Sequence, residues 1–333
     1  ERKAFMTDLK VGVIGCGRHA RSHFEMIAAE PRMSLIAIAE MNEERLAQAK
    51  AAHQPEFAFR DYRDMLDQAE LDVVYVVTTP GPLLQIVLDC LARGLHTSVE
   101  KPPGMNIGAT RQMRDAARKS KGKAILSVNR RYKPEILAVR HLLQERGSAV
   151  HVAANYHKGV SGFARPEHRD SAPPAIVYDA IHHVDLLRWL AGRSLTEAAT
   201  VSEVYAQSWH GAREGTPRYN AIIGFDNGCR GTMMSQYGVG YRIQTAEVHA
   251  EDMSAYLDLT QTPKIALYLD GQPYNEPLDI EAVVPAHFNE TRHFADCILN
   301  DTTPWSDLED AMQTMALCEA IEQGHQGSLA KGI

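Results

Sequence analysis

The 333-residue chain is 44% hydrophobic and 23% charged, enough apolar sequence for one large or two ordinary domains with real cores. Its formal charge of −7 comes from interspersed acids and bases, leaving no basic stripe for nucleic acid and no polybasic arm for lipid, so the expected partner is a small molecule. No apolar run approaches the roughly 18 to 20 residues that span a bilayer and no cationic-then-apolar leader is seen, so a cytoplasmic address is expected. Residues Glu1 to Phe5, ahead of Met6, are read as lying before a natural start and are set aside. Cys16, Cys90, Cys229, Cys297 and Cys318 lie far apart with no CxxC pair, which argues against a disulfide framework or a structural zinc site.

Through residue 130, short β-rich runs alternate with amphipathic segments. Strands are predicted over 10–15, 35–40, 72–77, 96–100 and 124–128. Between them, 83–94 sets Leu83, Ile86, Val87, Cys90 and Leu91 on one helical face and ends at Gly94, suited to a C-terminal cap. This alternation predicts an α/β fold, a doubly wound parallel sheet covered by helices, because each right-handed crossover needs a helix to return the chain. A connecting helix is expected over 129–147. Beyond it, strand-like pieces at 149–157, 200–210, 218–237, 241–250 and 254–260 predict a second, mainly antiparallel domain, with Asn227-Gly228 as a tight hairpin turn. Helical spacing returns over 286–299 and 307–323; the stripe Leu308, Ala311, Met312, Met315 and Ala316 reads as core packing. The domains are placed at 6–129 and 130–333, with the terminal helices able to pack back on the first domain.

Three clusters carry chemistry. Gly15-x-Gly17-x-x-Ala20 follows a strand and opens a helix, the context of a dinucleotide fingerprint: Gly15 makes the turn, Gly17 lets pyrophosphate reach the backbone, and Ala20 permits close helix packing. Glu40 ends the second strand, where a carboxylate can bind both adenosine ribose hydroxyls and repel the extra phosphate of NADP, so NAD is favoured with NADP as the alternative. In "SVEKPPG" (98–104), Lys101 stands at a strand end and is pinned by two prolines, in a stiff segment that admits a cis bond. In "IVYDAIHHVDLLRWLAG" (176–192), a single helix would pair Asp179 with His183 on one face and His182 with Asp185 on another. A histidine beside a carboxylate can relay a proton at neutral pH. A metal is the competing reading of that cluster, but HHxxD has no zinc spacing and none is expected.

Together with "TTP" (78–80), "VNRRYKP" (128–134) and "FDNGCRG" (225–231), these motifs make the chain resemble the glucose-fructose oxidoreductase, inositol dehydrogenase and rhizopine-catabolism family, Gfo/Idh/MocA, over nearly its whole length. The resemblance implies an N-terminal Rossmann domain, a C-terminal α+β domain with a large open-faced sheet whose outer face often mediates homodimers or homotetramers, and a nicotinamide cofactor beside a sugar or polyol. It places the cofactor against Gly15, Gly17, Arg18, His19, Ala20, Glu40, Thr78, Thr79, Pro80, Glu100, Lys101 and Asn129, and the substrate against Lys101, Arg130, Tyr156, Asp179 and His182. Lys101 matches the lysine of the family's EKP motif and His182 its catalytic histidine. Two positions depart from the pattern. Tyr178 stands where the family often has an aspartate, so that either Asp179 pairs with His183 or Tyr178 replaces the acid. Leu84 stands where a histidine is frequent.

Oxidising a secondary alcohol requires a base near the oxygen and a cation for the incipient alkoxide, jobs that Lys101 and His182 can divide, with His182 preferred over His183 as the relay. Residues 158–174, with Arg165, Glu167, His168 and Asp170, form a candidate substrate loop for a sugar, polyol or sugar acid. An NAD-dependent glycosidase with transient oxidation and a non-catalytic NAD-binding regulator are the two alternative readings.

Overall fold

The computed structural model describes residues 8–159, 172–212 and 216–329. The chain divides into two compact units. The first takes the described residues up to Ser127 together with Asn289–Ala311, and the second takes Val128–Phe288 and the chain from Met312.

The first unit is a parallel sheet of six strands, β1 (Leu9–Ile14), β2 (Met33–Ala39), β3 (Phe57–Phe59), β4 (Val73–Val76), β5 (His96–Glu100) and β6 (Ala124–Ser127), in the order β3-β2-β1-β4-β5-β6. Helices α1 (Ala20–Ala29), α2 (Glu43–His53), α3 (Tyr62–Gln68), α4 (Pro80–Ala92) and α5 (Ile107–Ala117) carry the crossovers. The strand order reverses between β1 and β4, and ligands of such sheets gather at the carboxyl ends beside that reversal. Helix α4 begins three residues before the predicted start because Pro80, with φ already fixed and no N–H to satisfy, opens it.

A later segment completes this unit. Ser306 accepts the Leu126 N–H on its carbonyl at 2.7 Å and donates its hydroxyl to the Leu126 carbonyl at 2.8 Å, while Tyr75 bonds Thr291 at 3.2 Å. The first unit is therefore discontinuous in sequence.

The second unit opens with a 3₁₀ turn, Asn129–Tyr132, and α6 (Pro134–Glu145), where one continuous helix was predicted. Pro134 causes the break, since it disfavours helical geometry in the residue before it. The sheet that follows holds β7 (His151–Lys158), β8 (Val201–His210), β9 (Pro217–Phe225), β10 (Arg230–Tyr237), β11 (Ile243–Ala250), β12 (Met253–Asp258), β13 (Lys264–Leu269), β14 (Gln272–Tyr274) and β15 (Gln326–Ser328). Its order is β14-β13-β12-β11-β7-β10-β9-β8-β15, antiparallel apart from the parallel β7–β10 pair. Gly228 turns the β9–β10 hairpin at φ +89°, as Asn-Gly predicts.

Two short helices, α7 (Ala175–Tyr178) and α8 (Ile181–Ala191), lie between β7 and β8, and α8 packs on β7, β10 and β11. Leu186, Leu187, Trp189 and Leu190 are all fully buried there. The last helices are α9 (Glu290–Leu299) and α10 (Leu308–Glu322); Leu308, Ala311, Met312, Met315 and Ala316 are buried, as their stripe predicts.

Candidate active site

In the first unit, Gly15 sits at φ +93° and a Cβ there would lie 2.3 Å from the Val77 carbonyl, so only glycine fits this turn. Gly17 is different. A Cβ there would meet nothing closer than Arg45 at 3.8 Å, so the protein itself does not demand glycine. That open cradle fits a pyrophosphate drawn close to the backbone. Ala20 is buried at the start of α1, while Arg18 and His19 are exposed, and His19 supplies no side-chain cap to the helix.

Glu40 follows β2, and its carboxylate accepts the backbone N–H groups of Cys16 and Asn42, each at 2.9 Å. Those two donors aim the carboxylate across the turn, where its remaining lone pairs suit ribose hydroxyls. Burial, followed by the charge of Glu40, pushes the Cys16 thiol up to about 12, so it stays protonated. Thr79 stands at the N-terminal cap position of α4 without a side-chain capping bond, and the Thr78 hydroxyl is buried without a hydrogen-bond partner among the described residues. A bound dinucleotide would supply one.

Glu100 ends β5 and bonds the buried His23 at 3.1 Å. Burial alone would lower the His23 pKa, but the hydrogen bond and charge of Glu100 outweigh it and the pKa is raised. Lys101 follows, joined to Pro102 through a cis peptide bond. Burial depresses the His19 pKa, Glu100 opposes this, and the Lys101 charge reinforces it.

In the second unit, Asp179 lies between helices. Its φ of −126° and ψ of −53° end α7, so Asp179 and His183 do not share one helix and the predicted four-residue pairing fails. Asp179 instead accepts Lys158 Nζ at 2.8 and 2.7 Å, the Tyr156 hydroxyl at 2.9 Å and the Tyr237 hydroxyl at 3.2 Å. His183 is 0% exposed, both ring nitrogens lack a hydrogen-bond partner among the described residues, and its ring meets Tyr156 edge-on at 5.0 Å. Burial first, and Arg130 next, hold its pKa well below the ordinary value. His183 is thus a neutral core group. His182, one position earlier, is half-buried, whereas Tyr178 is exposed.

Asp185 does not partner His182 in any observed bond. It takes a bidentate pair from the buried Arg131 at 2.7 and 2.5 Å and the Thr314 hydroxyl at 3.0 Å. The i, i+3 reading is corrected accordingly: this carboxylate anchors α8 to the 3₁₀ turn. Arg130 is buried and Asn129 exposed on that same turn. Lys158 and Tyr237 were not foreseen as site residues, although strand alternation puts Lys158 on the face of Tyr156. Arg165, Glu167, His168 and Asp170 lie outside the described residues. Among the described residues, no three His, Cys, Asp or Glu side chains gather as metal ligands, and no helix is long and apolar enough to cross a membrane.

A glycine turn after β1, a carboxylate after β2 and a lysine after β5, all at the carboxyl end of one parallel sheet, fit a dinucleotide-dependent oxidoreductase. The chain belongs to the Gfo/Idh/MocA oxidoreductase family: its NAD-binding Rossmann-fold model matches residues 9–129, and the model of its C-terminal alpha/beta domain matches residues 150–329. Among similar proteins, a myo-inositol 2-dehydrogenase of Thermotoga maritima is 23% identical over 71% of this chain and 72% of its own. A D-apiose dehydrogenase of Paraburkholderia graminis is 23% identical over 93% of this chain and 86% of its own. The fold also matches the WlbA dehydrogenase of Bordetella pertussis, crystallised with NADH and UDP-GlcNAcA, at a TM-score of 0.76 and 22% identity, covering 95% of this chain and 96% of that one.

Proposed function

We propose that this enzyme oxidises a secondary hydroxyl of a sugar, inositol or related polyol, or reduces the matching ketone, with residues 6–129 holding NAD and residues 130–333 carrying substrate determinants. NAD, when bound, supplies the hydride acceptor. Lys101 stabilises the incipient alkoxide as an ammonium, and His182 takes the hydroxyl proton at its imidazole. His182 is preferred to His183 because a sealed neutral ring cannot pass a proton onward. Tyr156 and Asp179 form a hydrogen-bonded platform for substrate hydroxyls, and Lys158 balances the charge of Asp179.

The observation that carries this reading is Lys101, which follows β5 directly, at the carboxyl end of the parallel sheet whose first strand leads into the Gly15 turn. The relatives named as inositol and apiose dehydrogenases support the substrate class. A panel of sugars and polyols assayed for NADH formation tests it: stoichiometric ketone and NADH are expected, and glycoside cleavage without net NADH would overturn it.

A cytoplasmic homodimer or homotetramer completes the reading. The outer face of the nine-stranded sheet supports an oligomer, since Tyr205, Ile222, Met234, Tyr256 and Tyr268 stand exposed on it at alternate strand positions.

A further inference from the structure

Four arginines are buried among the described residues. Arg131 forms the bidentate pair with Asp185. Arg140 donates to the Trp189 and Gly192 carbonyls at the end of α8, its Nε remaining without an acceptor among the described residues, and Arg188 to the Ala199 carbonyl and the Thr314 hydroxyl. Among the described residues, the side chain of Arg130, 8% exposed, makes one bond, from Nη2 to the neutral amide oxygen of Gln244 at 2.5 Å. Its Nε is buried with no acceptor among the described residues, and so is Nε2 of the same Gln244, which is 1% exposed. Both unsatisfied groups are donors. Leaving buried donors unmet is costly, and more so for a charged group.

Among the described residues, Asp179 is the carboxylate whose charge favours the Arg130 cation. Asp179 is already engaged by Lys158, Tyr156 and Tyr237. A second cation stands close by: Arg242 is exposed, forms no ion pair among the described residues, and adds to the burial that brings the Arg130 pKa down to about 10. Gln244 faces Tyr156 across the β7–β11 pair, which puts these donors at the Asp179 platform.

We infer that the substrate carries a carboxylate, as in a sugar acid or polyhydroxy acid, and that Arg130 and the Gln244 amide bind it, with Arg242 as an outer cation. This deepens the oxidoreductase reading proposed above and rests on it. A carboxylate brings acceptor oxygens only, which is what this cluster lacks, whereas a neutral hydroxyl would leave both arginine charges unbalanced.

The test is calorimetric titration of the NADH-loaded full chain with matched acid and neutral ligands, D-gluconate against D-glucitol and D-galacturonate against D-galactose. The acids are expected to bind at least about tenfold tighter than their neutral partners. Arg130→Gln should erase most of that preference. Arg242→Ala, at an exposed position that leaves folding undisturbed, should reduce it and its salt dependence. Equal or undetectable binding of acid and neutral members, or a preference that survives both substitutions, overturns the inference. So does an Arg130→Gln variant that loses affinity for NADH instead of for the acids. Oxidation assays on the same pairs separate the two claims: no NADH from any pair sinks the polyol reading, while turnover of neutral members alone sinks only the carboxylate.

Discussion

Lys158 Nζ lies 2.8 and 2.7 Å from the two carboxylate oxygens of Asp179, so the acid that the sequence offers to His183 is already taken. This separates the two histidines. His182→Ala should lower kcat by about 10² to 10⁴ and remove the ionisation governing its acidic limb. His183→Phe should change urea stability while keeping the shape of the pH–rate profile. Steady-state kinetics from pH 5 to 9 on both variants decide the assignment.

Lys101→Met removes the cation proposed for the alkoxide. A fall in kcat of roughly 10² to 10³ is expected, with NAD affinity by fluorescence titration largely retained. A variant that turns over at the parent rate would remove this lysine from the chemistry.

Glu40 is aimed by two backbone donors, those of Cys16 and Asn42. Glu40→Ala should weaken NAD by about tenfold and NADP less, or improve NADP, because the charged hydrogen bonds to the ribose are lost together with the repulsion of a 2′-phosphate. Parallel titrations with both coenzymes read the change, and equal weakening would count against a ribose contact.

Burial lowers the His293 pKa from 6.5 to about 4, with Asp296 opposing. Its Nε2 accepts the backbone N–H of Trp305 at 3.1 Å, a bond that only an unprotonated Nε2 can take. Between pH 6.5 and about 4 the unfolded chain therefore binds a proton that the native chain does not, and stability rises with pH across that window. Acidification through it should cost on the order of 3 kcal/mol at this one site. In His293→Gln, urea unfolding measured at pH 7, 6 and 5 should show a slope shallower by up to one proton.

Ile222 is 59% exposed in the middle of β9. If the outer sheet face joins copies, Ile222→Glu should shift sedimentation towards monomer without unfolding the chain, since a buried unpaired carboxylate is strongly disfavoured. An unchanged oligomer would place the interface elsewhere.

The parallel sheet, the glycine turn, Glu40 at one strand end, Lys101 at another and the Asn-Gly hairpin were all legible, because strand alternation, turn chemistry and the need for positive φ act within a few residues. The short strands β3 and β13 to β15 went unread, being too short or too exposed to carry a period.

What the sequence by itself determined was local: which segments form strands and helices, and which side chains stand at the ends of the parallel strands. Tertiary structure alone decided which charges meet. Asp179 chose Lys158 and two tyrosines 23 and 58 positions away over a histidine four along, and Asp185 chose Arg131 at a separation of 54. A buried ion must be neutralised by whatever the packing brings to it, and packing is set by contacts distant in sequence that no local spacing records.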